Sequence, residues 1–317
     1  MKLKNLPIVA RPGRTILTAA VAIFSASALH AGDFFTGGVT FGGTTINLGD
    51  GSGGNGTGQK SWAILGLGGN ISIGGYDGAT SYNGNPEVVG NVGLNGGSFS
   101  ISGYAVVDKG DIWRASTSQS IGGTAGSSAG NSYTGSLNTD STYMTQAQTD
   151  AVAASNAAKT LANSVTGLAF TGALATFTNS SPATFALNAA ATISTTVVAN
   201  YVLNLGTLAL SASTAILNIN APAGANFIIN VGTTFGLSNA AKITLSGGLQ
   251  PQSVLFNLPT ITAAGMSGNS QLSGIVLAPK ATFTMTGTGS TQITGELIAK
   301  AVTMSSGSKV INPIVSP

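Results

Sequence analysis

Two copies of one short pattern decide the fold: LSGIVLA at residues 272–278 and ITGELIA at residues 293–299, which lie 21 positions apart. A second pattern recurs earlier, because Gly69-Asn70-Ile71, Gly90-Asn91-Val92 and Gly110-Asp111-Ile112 follow one another at spacings of 21 and 20 residues. A period of this length suits one coil of a β-solenoid, whose short strands stack on the next coil at about 4.8 Å. A compact β-sandwich would not need a constant spacing. We therefore predict an all-β dominated β-helix, or β-solenoid, of roughly 20-residue coils.

The predicted strands alternate apolar and polar residues. Leu203-Asn204-Leu205, Leu217-Asn218-Ile219 and Phe283-Thr284-Met285 are examples, with Gly, Asn and Ser marking the corners between strands. This alternation places one set of side chains inside the coil and the other outside. For the last coils, the residues predicted to line the interior are Ile275, Leu277, Phe283, Ile293, Leu297 and Met304.

One segment has a helical period instead. Between Thr145 and Val165 the apolar residues step by three and four positions, which predicts one Ala-rich α-helix over 145–165. Thr145 and Gln148 stand at the spacing of a capping box, and Gly167 suits the stop. The stripe is mostly alanine, so we expect the helix to pack closely alongside the solenoid. Its residues are Ala147, Ala151, Ala154, Ala158, Leu161 and Val165.

The N-terminus has the pattern of a secretory signal peptide, predicted over 1–31. Four basic residues precede an apolar run at 15–28, and small residues suggest cleavage after Ala28 or Ala31. An uncleaved anchor is the alternative, but the run is shorter than the roughly 20 residues that span a bilayer. The rest, 32–317, is predicted to be a single secreted domain without a transmembrane segment. It comprises a first β-region at 34–114, a loop at 115–140, the helix, and a second β-region at 168–312.

Composition excludes several partners. Only 7% of the 317 residues are charged, against about 25% in ordinary soluble domains, while 43% are hydrophobic and can supply a core. The net charge of +3 arises in the leader, since Lys2, Lys4, Arg11 and Arg14 belong to it. Without the leader no basic run remains to follow a phosphate backbone, so no nucleic-acid partner is expected.

Catalytic residues are scarce. The single histidine, His30, lies at the edge of the leader, and there is no cysteine, so a nucleophilic triad and a zinc site are not expected. Asp108 and Asp111 are close in sequence and could form a small polar cleft or a calcium site, but a turn with local ion pairing is the simpler interpretation. Trp62 and Trp113 are either sugar-stacking platforms or packed core residues. We predict a protein that is not an enzyme and has no cofactor or metal.

One surface pattern suggests recognition. Four threonines, Thr282, Thr284, Thr286 and Thr288, alternate with apolar residues or glycine and would stand on one face of a strand. Thr303 on the following coil would extend that face. The alternative is the ordinary preference of threonine for the solvent side of strands.

Most of the chain after the leader resembles the choice-of-anchor A domain family, and the last 65 residues do so most specifically. The resemblance rests on VLFNLP at 254–259, LSGIVLAP at 272–279 and ITGELIAK at 293–300, with further similarity at Gly69-Asn70-Ile71 and Ala221-Pro222-Ala223-Gly224. It implies a bacterial, adhesin-like β-helix at the cell surface or outside the cell. The sequence ends at Ile314-Val315-Ser316-Pro317 without a sorting motif, so free secretion or non-covalent retention is expected rather than covalent attachment.

A weaker resemblance is to the ice-binding β-solenoid proteins, which also combine an export signal, a helix beside the coils and threonine-rich flat faces. Two main hypotheses follow. The first is an adhesion or structural protein whose partner is an extracellular matrix or cell-surface polymer. The second is an ice-binding protein, which outward threonines aligned over several coils would favour. An enzyme, the third, would need a cleft with two facing carboxylates.

Overall fold

The computed structural model describes residues 38–48, 61–75, 85–125, 132–177, 182–287 and 290–313. The predicted signal peptide lies outside these ranges. The described residues confirm the predicted fold class: short parallel strands stack into a solenoid, and one helix packs alongside it.

Each coil has three faces, which we number in chain order. Face I contains the first halves of β16 (Asn200–Leu210) and β18 (Asn226–Leu237), β20 (Val254–Asn257), the middle of β22 (Gln271–Thr286) and of β23 (Gln292–Met304), β3 (Trp62–Gly66), β6 (Asn91–Leu94), β9 (Ile112–Arg114) and β12 (Leu137–Thr139). Face II contains β14 (Ala183–Leu187), the second halves of β16 and β18, β21 (Ala263–Ser267), the ends of β22 and β23, β4 (Ile71–Ile73) and β7 (Phe99–Ile101).

Face III contains β13 (Ala169–Gly172), β15 (Ala191–Ser194), β17 (Ile216–Asn220), β19 (Lys242–Ser246), the starts of β22 and β23, β24 (Lys309–Ile311), β5 (Glu87–Val89), β8 (Val106–Asp108), β11 (Ser132–Tyr133) and β10 (Thr124–Ala125). Among the described strands, β13 pairs antiparallel and closes one end of this face. The strands β1 (Val39–Phe41) and β2 (Thr44–Ile46) form a separate antiparallel hairpin.

The coils do not stack in chain order. Strand β23 pairs with β22 on one edge and with β3 and β4 on the other, and β24 pairs with β5. The last coil of the chain therefore lies between the first coil and the coils of the second β-region. This arrangement joins both β-regions into one continuous stack.

Some coils have the predicted length of about 20 residues, and others are longer. Neighbouring coils are linked by side-chain hydrogen bonds over 20 residues from Asn91 to Asp111, over 26 from Asn204 to Asn230, and over 28 from Asn70 to Ser98. The segment predicted as a loop, 115–140, contributes β10, β11 and β12. Its Ser- and Gly-rich composition hides these strands, because the pairing of β10 with β11, of β11 with β8 and of β12 with β9 is made by backbone groups.

Tight turns form several corners between face II and face III. In the turn Ser238–Ala241, both central residues have positive φ (Asn239 55°, Ala240 61°), and Ala241 N–H donates to the Ser238 carbonyl at 3.1 Å. Two positive φ values define a type I′ turn, which reverses the chain over two residues. Such turns keep the corners narrow and the faces flat.

The interior of the stack is apolar. Phe185, Phe227, Phe256 and Phe283 are fully buried there, together with rows of leucine, isoleucine and valine. Of the residues predicted to line the interior of the last coils, Phe283, Ile293, Leu297 and Met304 do so. The assignment of Ile275 and Leu277 was wrong: both point outward from face I and are buried beneath the helix. Where a helix covers the sheet, both sides of a strand are apolar, and alternation no longer identifies the inner one.

The helix, α1, spans Ser141–Lys159 and covers face I. It begins four residues before the predicted start, because the Asp140 carboxylate accepts a hydrogen bond from Tyr143 N–H at 2.9 Å and caps the first turn. Thr145 is inside the helix, and Gln148 donates to the Leu67 carbonyl on the sheet instead of capping.

The helix ends before the predicted residue 165. Beyond it, Ser164 pairs antiparallel with Val202, at the outer edge of β16. This pairing supplies hydrogen-bonding partners to the backbone groups at the edge of β16, and a helix that continued to residue 165 would leave them unpaired. Leu161 and Val165 are consequently only half-buried.

Three asparagines in a row on face I hold the helix. Asn257 donates to Asn230 at 2.8 Å, and Asn230 donates to Asn204 at 2.7 Å. The same amide groups donate to carbonyl oxygens of the helix and its end, with Asn257 to Ser155 at 3.0 Å, Asn230 to Ala158 at 2.8 Å, and Asn204 to Leu161 at 2.9 Å. This asparagine ladder fixes the helix parallel to the stacking direction.

Candidate binding surface

Face II is one of the two faces of the stack that the helix leaves open. Among the described residues, every outward-pointing position in its strands is Thr, Ser, Ala or Gly. None of these side chains is charged or larger than threonine. Lys280 and Lys300 stand at the corner between face I and face II and not on the face itself.

The outward residues of face II form columns across the strands. In the first column, Thr184 pairs in register with Thr207, and Thr207 with Thr234. Further along this column, Ala263 pairs with Thr282 and Thr282 with Ala301. Aligned threonines thus extend over three coils and are then interrupted by alanine.

The second column has smaller residues at one end and hydroxyls at the other. Gly236 pairs with Gly265, and Gly265 with Thr284. Thr284 then pairs with Thr303, and Thr303 with Ser72. The glycines leave a gap in the hydroxyl array on one side of Thr284.

The structure places the predicted recognition residues as follows. Thr282, Thr284 and Thr286 point outward on β22, and Thr303 points outward on the next strand. Only Thr284 and Thr303 stand side by side in register, since Thr282 faces Ala301 and Thr286 faces Ser267. Thr288 lies outside the described residues.

Sequence reasoning missed Thr184, Thr207 and Thr234. A signal for them exists, because each begins the pattern threonine, large apolar residue, small residue, leucine: TFAL at 184–187, TLAL at 207–210 and TFGL at 234–237. The spacing between these copies is not constant, so a search for a fixed period of 20 or 21 residues does not find them.

Face III is less even. Lys242, Gln271, Gln292 and Lys309 form a column of long side chains in register. Lys309 forms an ion pair with Glu87 at 2.7 Å. Long side chains lose more rotamer freedom on contact than threonine or serine, so this face is a poorer match for a flat partner than face II.

The acidic residues in the described part of the chain are dispersed. Asp108 accepts a hydrogen bond from the Thr134 hydroxyl at 3.2 Å, and Asp111 accepts one from Ser136 N–H at 2.9 Å, so both link neighbouring coils. Glu296 is 2% exposed and accepts hydrogen bonds from Ser61 at 2.6 Å and Asn312 at 3.4 Å. Within the described ranges, no three His, Cys, Asp or Glu residues come together as a metal site would require.

The two tryptophans belong to the helix interface. Trp62 and Trp113 both pack against Tyr143 in the first turn of α1, with ring centroids 5.8 and 5.1 Å away. Trp62 is only 3% exposed. These contacts favour a packing role over the sugar-stacking alternative.

Comparison with known families identifies the relationship. A family model described as "Putative Ice-binding-like adhesive domain" matches residues 30–311. The chain belongs to this family. Of the two resemblances seen in the sequence, the weaker one, to ice-binding β-solenoids, agrees with the match. The comparisons do not show membership of the choice-of-anchor A family. A search of curated proteins finds no match.

Several solved structures are similar to this member of the ice-binding-like adhesive family. One is an ice-binding protein from the Antarctic ascomycete Antarctomyces psychrotrophicus, with 19% identity, a TM-score of 0.48, and coverage of 84% of this chain and 97% of that one. Another is a glycosylated ice-binding protein from an Arctic yeast, with 13% identity, a TM-score of 0.48, and coverage of 88% and 98%. A third, from an Antarctic bacterium of the Flavobacteriaceae, has 15% identity, a TM-score of 0.44, and coverage of 80% and 47%.

The family is adhesive and ice-binding-like in description, and the similar structures are those of ice-binding proteins. In the part of the chain that the structure describes, no helix has the length and apolar character needed to cross a bilayer.

Proposed function

We propose that the protein is secreted and acts as a non-enzymatic adhesin that binds an extracellular matrix or cell-surface polymer through face II. One observation carries this proposal: the outward residues of the face II strands are small and uncharged, and most carry hydroxyl groups. Each hydroxyl can donate one hydrogen bond and accept two, so the face suits a polar, neutral partner.

The rigidity of the solenoid favours binding. Parallel strands fix the backbone beneath each hydroxyl, so little conformational freedom is lost when a partner is bound. Threonine and serine are also short, and few rotamers are frozen on contact.

The size of face II sets the expected affinity. Eight described strands at about 4.8 Å spacing extend roughly 34 Å, and five residues along a strand extend about 14 Å. The resulting area of roughly 500 Å² is smaller than the about 800 Å² per partner of a standard specific interface. We therefore expect weak binding at a single site, strengthened when many copies contact one polymer surface.

Ice is the second candidate, and the register of Thr184, Thr207 and Thr234 favours it. Ice recognition needs a wide regular array. The glycines at 236 and 265 and the alanine at 263 interrupt the array between these threonines and Thr284. We therefore expect weak or absent thermal hysteresis.

The test uses the protein without its leader, residues 32–317. Co-sedimentation with insoluble polysaccharides and with cell-wall material measures polymer binding, and nanolitre osmometry measures thermal hysteresis. Thr284→Tyr places a bulky ring at the centre of face II and should abolish polymer binding. Thr244→Tyr makes the same change at an outward, half-buried position on face III and should leave binding intact.

Two results would contradict the proposal. Strong hysteresis that disappears in Thr284→Tyr would make ice binding the function. Polymer binding that both variants retain would exclude face II as the contact surface. Secretion is tested separately by mass spectrometry of protein from the native host, which should find the N-terminus at Leu29 or Gly32.

A further inference from the structure

Tyr104 is an exposed aromatic residue in a strained backbone conformation. It occupies the second central position of the turn Ser102–Ala105, at the corner between face II and face III, and Ala105 N–H closes the turn with a bond of 3.2 Å to the Ser102 carbonyl. Its φ is 65°, and its side chain is 53% exposed. A bulky residue with positive φ is rare because its Cβ crowds the backbone.

The turn itself does not call for tyrosine. Equivalent positions in other coils are taken by Ala240 and Asn269, with φ of 61° and 66°. Glycine or asparagine would satisfy the turn with less strain. The preceding position does call for glycine, because a Cβ on Gly103 would lie 2.8 Å from the backbone of Gly75.

Hydroxyl groups line the strand that leads to Tyr104. Ser98 and Ser100 flank Phe99 on the outer side of face II, and Ser102 begins the turn. The Ser100 and Ser72 hydroxyls on adjacent strands are 3.2 Å apart. Ser98 donates to the Asn70 side chain from both its N–H and its hydroxyl, at 3.0 and 3.3 Å.

We propose that Tyr104 and the serine row Ser72, Ser98, Ser100 and Ser102 form a binding site for a neutral sugar unit of a polysaccharide. The tyrosine ring packs against the apolar C–H face of the sugar, and the serine hydroxyls exchange hydrogen bonds with the sugar hydroxyls. An amphipathic ring beside a few polar groups is the usual composition of such a contact. This inference rests on the proposed polymer-binding function and names the chemical class of the polymer.

The strain gives the proposal a distinctive test. Tyr104→Gly removes the ring and relieves the strain in the turn. Retention on cellulose and chitin should then fall at least about fivefold. The melting temperature should stay within about 2 °C of the wild type, because the stability gained from relieved strain offsets the added conformational freedom of the unfolded chain. Tyr104→Phe keeps the ring and should retain most of the binding. Ala240→Gly relieves the same turn in another coil and should leave binding unchanged.

The outcomes separate this site from face II as a whole. One outcome is that the wild type binds cellulose or chitin, that Thr284→Tyr abolishes this binding, and that Tyr104→Gly does not. In that case the proposed sugar site at Tyr104 is wrong, while the proposed function of face II stands. A loss of binding in Ala240→Gly, or a melting temperature that falls by more than about 5 °C in Tyr104→Gly, would also overturn the proposal, because the effect would then be structural. If the wild type binds neither polysaccharide, the proposal fails as well, and binding to other cell-wall material then decides the function of face II.

Discussion

Buried polar side chains act as fixed links in this molecule. Asn257 is fully buried, exchanges hydrogen bonds with Ser155 in both directions, and donates to the next asparagine of the ladder. A buried amide without partners would destabilise the fold. The hydrogen bonds of Asn257 are all made only when the helix lies in this one position, so Asn257 makes the fold specific for that position.

Replacement of Asn257 tests this link. Asn257→Ala leaves the Ser155 hydroxyl and carbonyl without their buried partner, which should lower the free energy of unfolding by about 2–4 kcal/mol in urea denaturation. The control is Asn218→Ala, since Asn218 is half-buried on face III and accepts hydrogen bonds from Thr244 and Ser246. It should cost less than about 1 kcal/mol. Equal losses would show that the ladder does not hold the helix.

A second pair of substitutions tests the direction of side chains in one strand. Phe283 is fully buried inside the stack, whereas the adjacent Thr284 points outward on face II. Phe283→Ala should lower the free energy of unfolding by about 3–5 kcal/mol, and Thr284→Ala by less than about 0.5 kcal/mol. Similar shifts in melting temperature would reverse the assignment of inside and outside for this strand.

The sequence predicts side-chain direction well only where one side of a strand faces water. The alternation around Phe283 gives the correct phase for Thr282, Thr284 and Thr286. It fails around Ile275 and Leu277, because the helix covers them and makes the outer side apolar as well. Nothing local in the sequence tells which strands the helix will cover, since that depends on stacking order.

At the scale of elements, the helix and the sheet share a spacing. Three residues of an α-helix rise about 4.5 Å, close to the 4.7–4.9 Å between adjacent strands. The asparagine ladder uses this match, because its three amides bond carbonyls three residues apart, at Ser155, Ala158 and Leu161. The alanine stripe lets the helix approach closely enough for these bonds. Its spacing predicted the existence and buried face of the helix, but its ends depend on Asp140 and on the pairing of Ser164.

A larger side chain in the stripe should separate helix and sheet. Ala151 is fully buried against face I, so Ala151→Leu should lower the free energy of unfolding by about 1–3 kcal/mol through overpacking. Ala153→Leu makes the same change on the exposed side of the helix and should stay within about 0.5 kcal/mol. Thermal unfolding followed by circular dichroism compares the two. A neutral Ala151→Leu variant would mean that the helix is not closely packed.

At the scale of the whole molecule, the last coil joins two parts of the stack. The strands of the first coil, β3, β4 and β5, are hydrogen-bonded on one side to β23 and β24. The strand β22 is bonded to the opposite edge of β23. The repeats indicate stacked coils, but they carry no information on this order, because any two coils of similar period can pair.

Removal of the last coil should divide the molecule. A chain that ends at Gly287 lacks β23 and β24, which leaves unpaired edges on β22 and on the first coil. We expect a single thermal transition from the full chain, and aggregation or two separate transitions from the truncated chain, as measured by size-exclusion chromatography and calorimetry. A monomeric truncated chain with one transition at the same temperature would contradict the arrangement.

The position of the last coil also determines when the stack can be completed during synthesis of the chain. At Gly66, one edge of β3 pairs early with Leu94, but the opposite edge becomes paired only when Ala299 is available, about 230 residues later in the chain. At about 5–20 residues per second, a ribosome needs roughly 10–50 s to make that length. During this interval that edge of β3 has no strand to pair with, because its partner β23 has not yet been made. If the protein is secreted, as we propose, we expect its chain to cross the membrane unfolded and to complete the stack only after its final residues arrive.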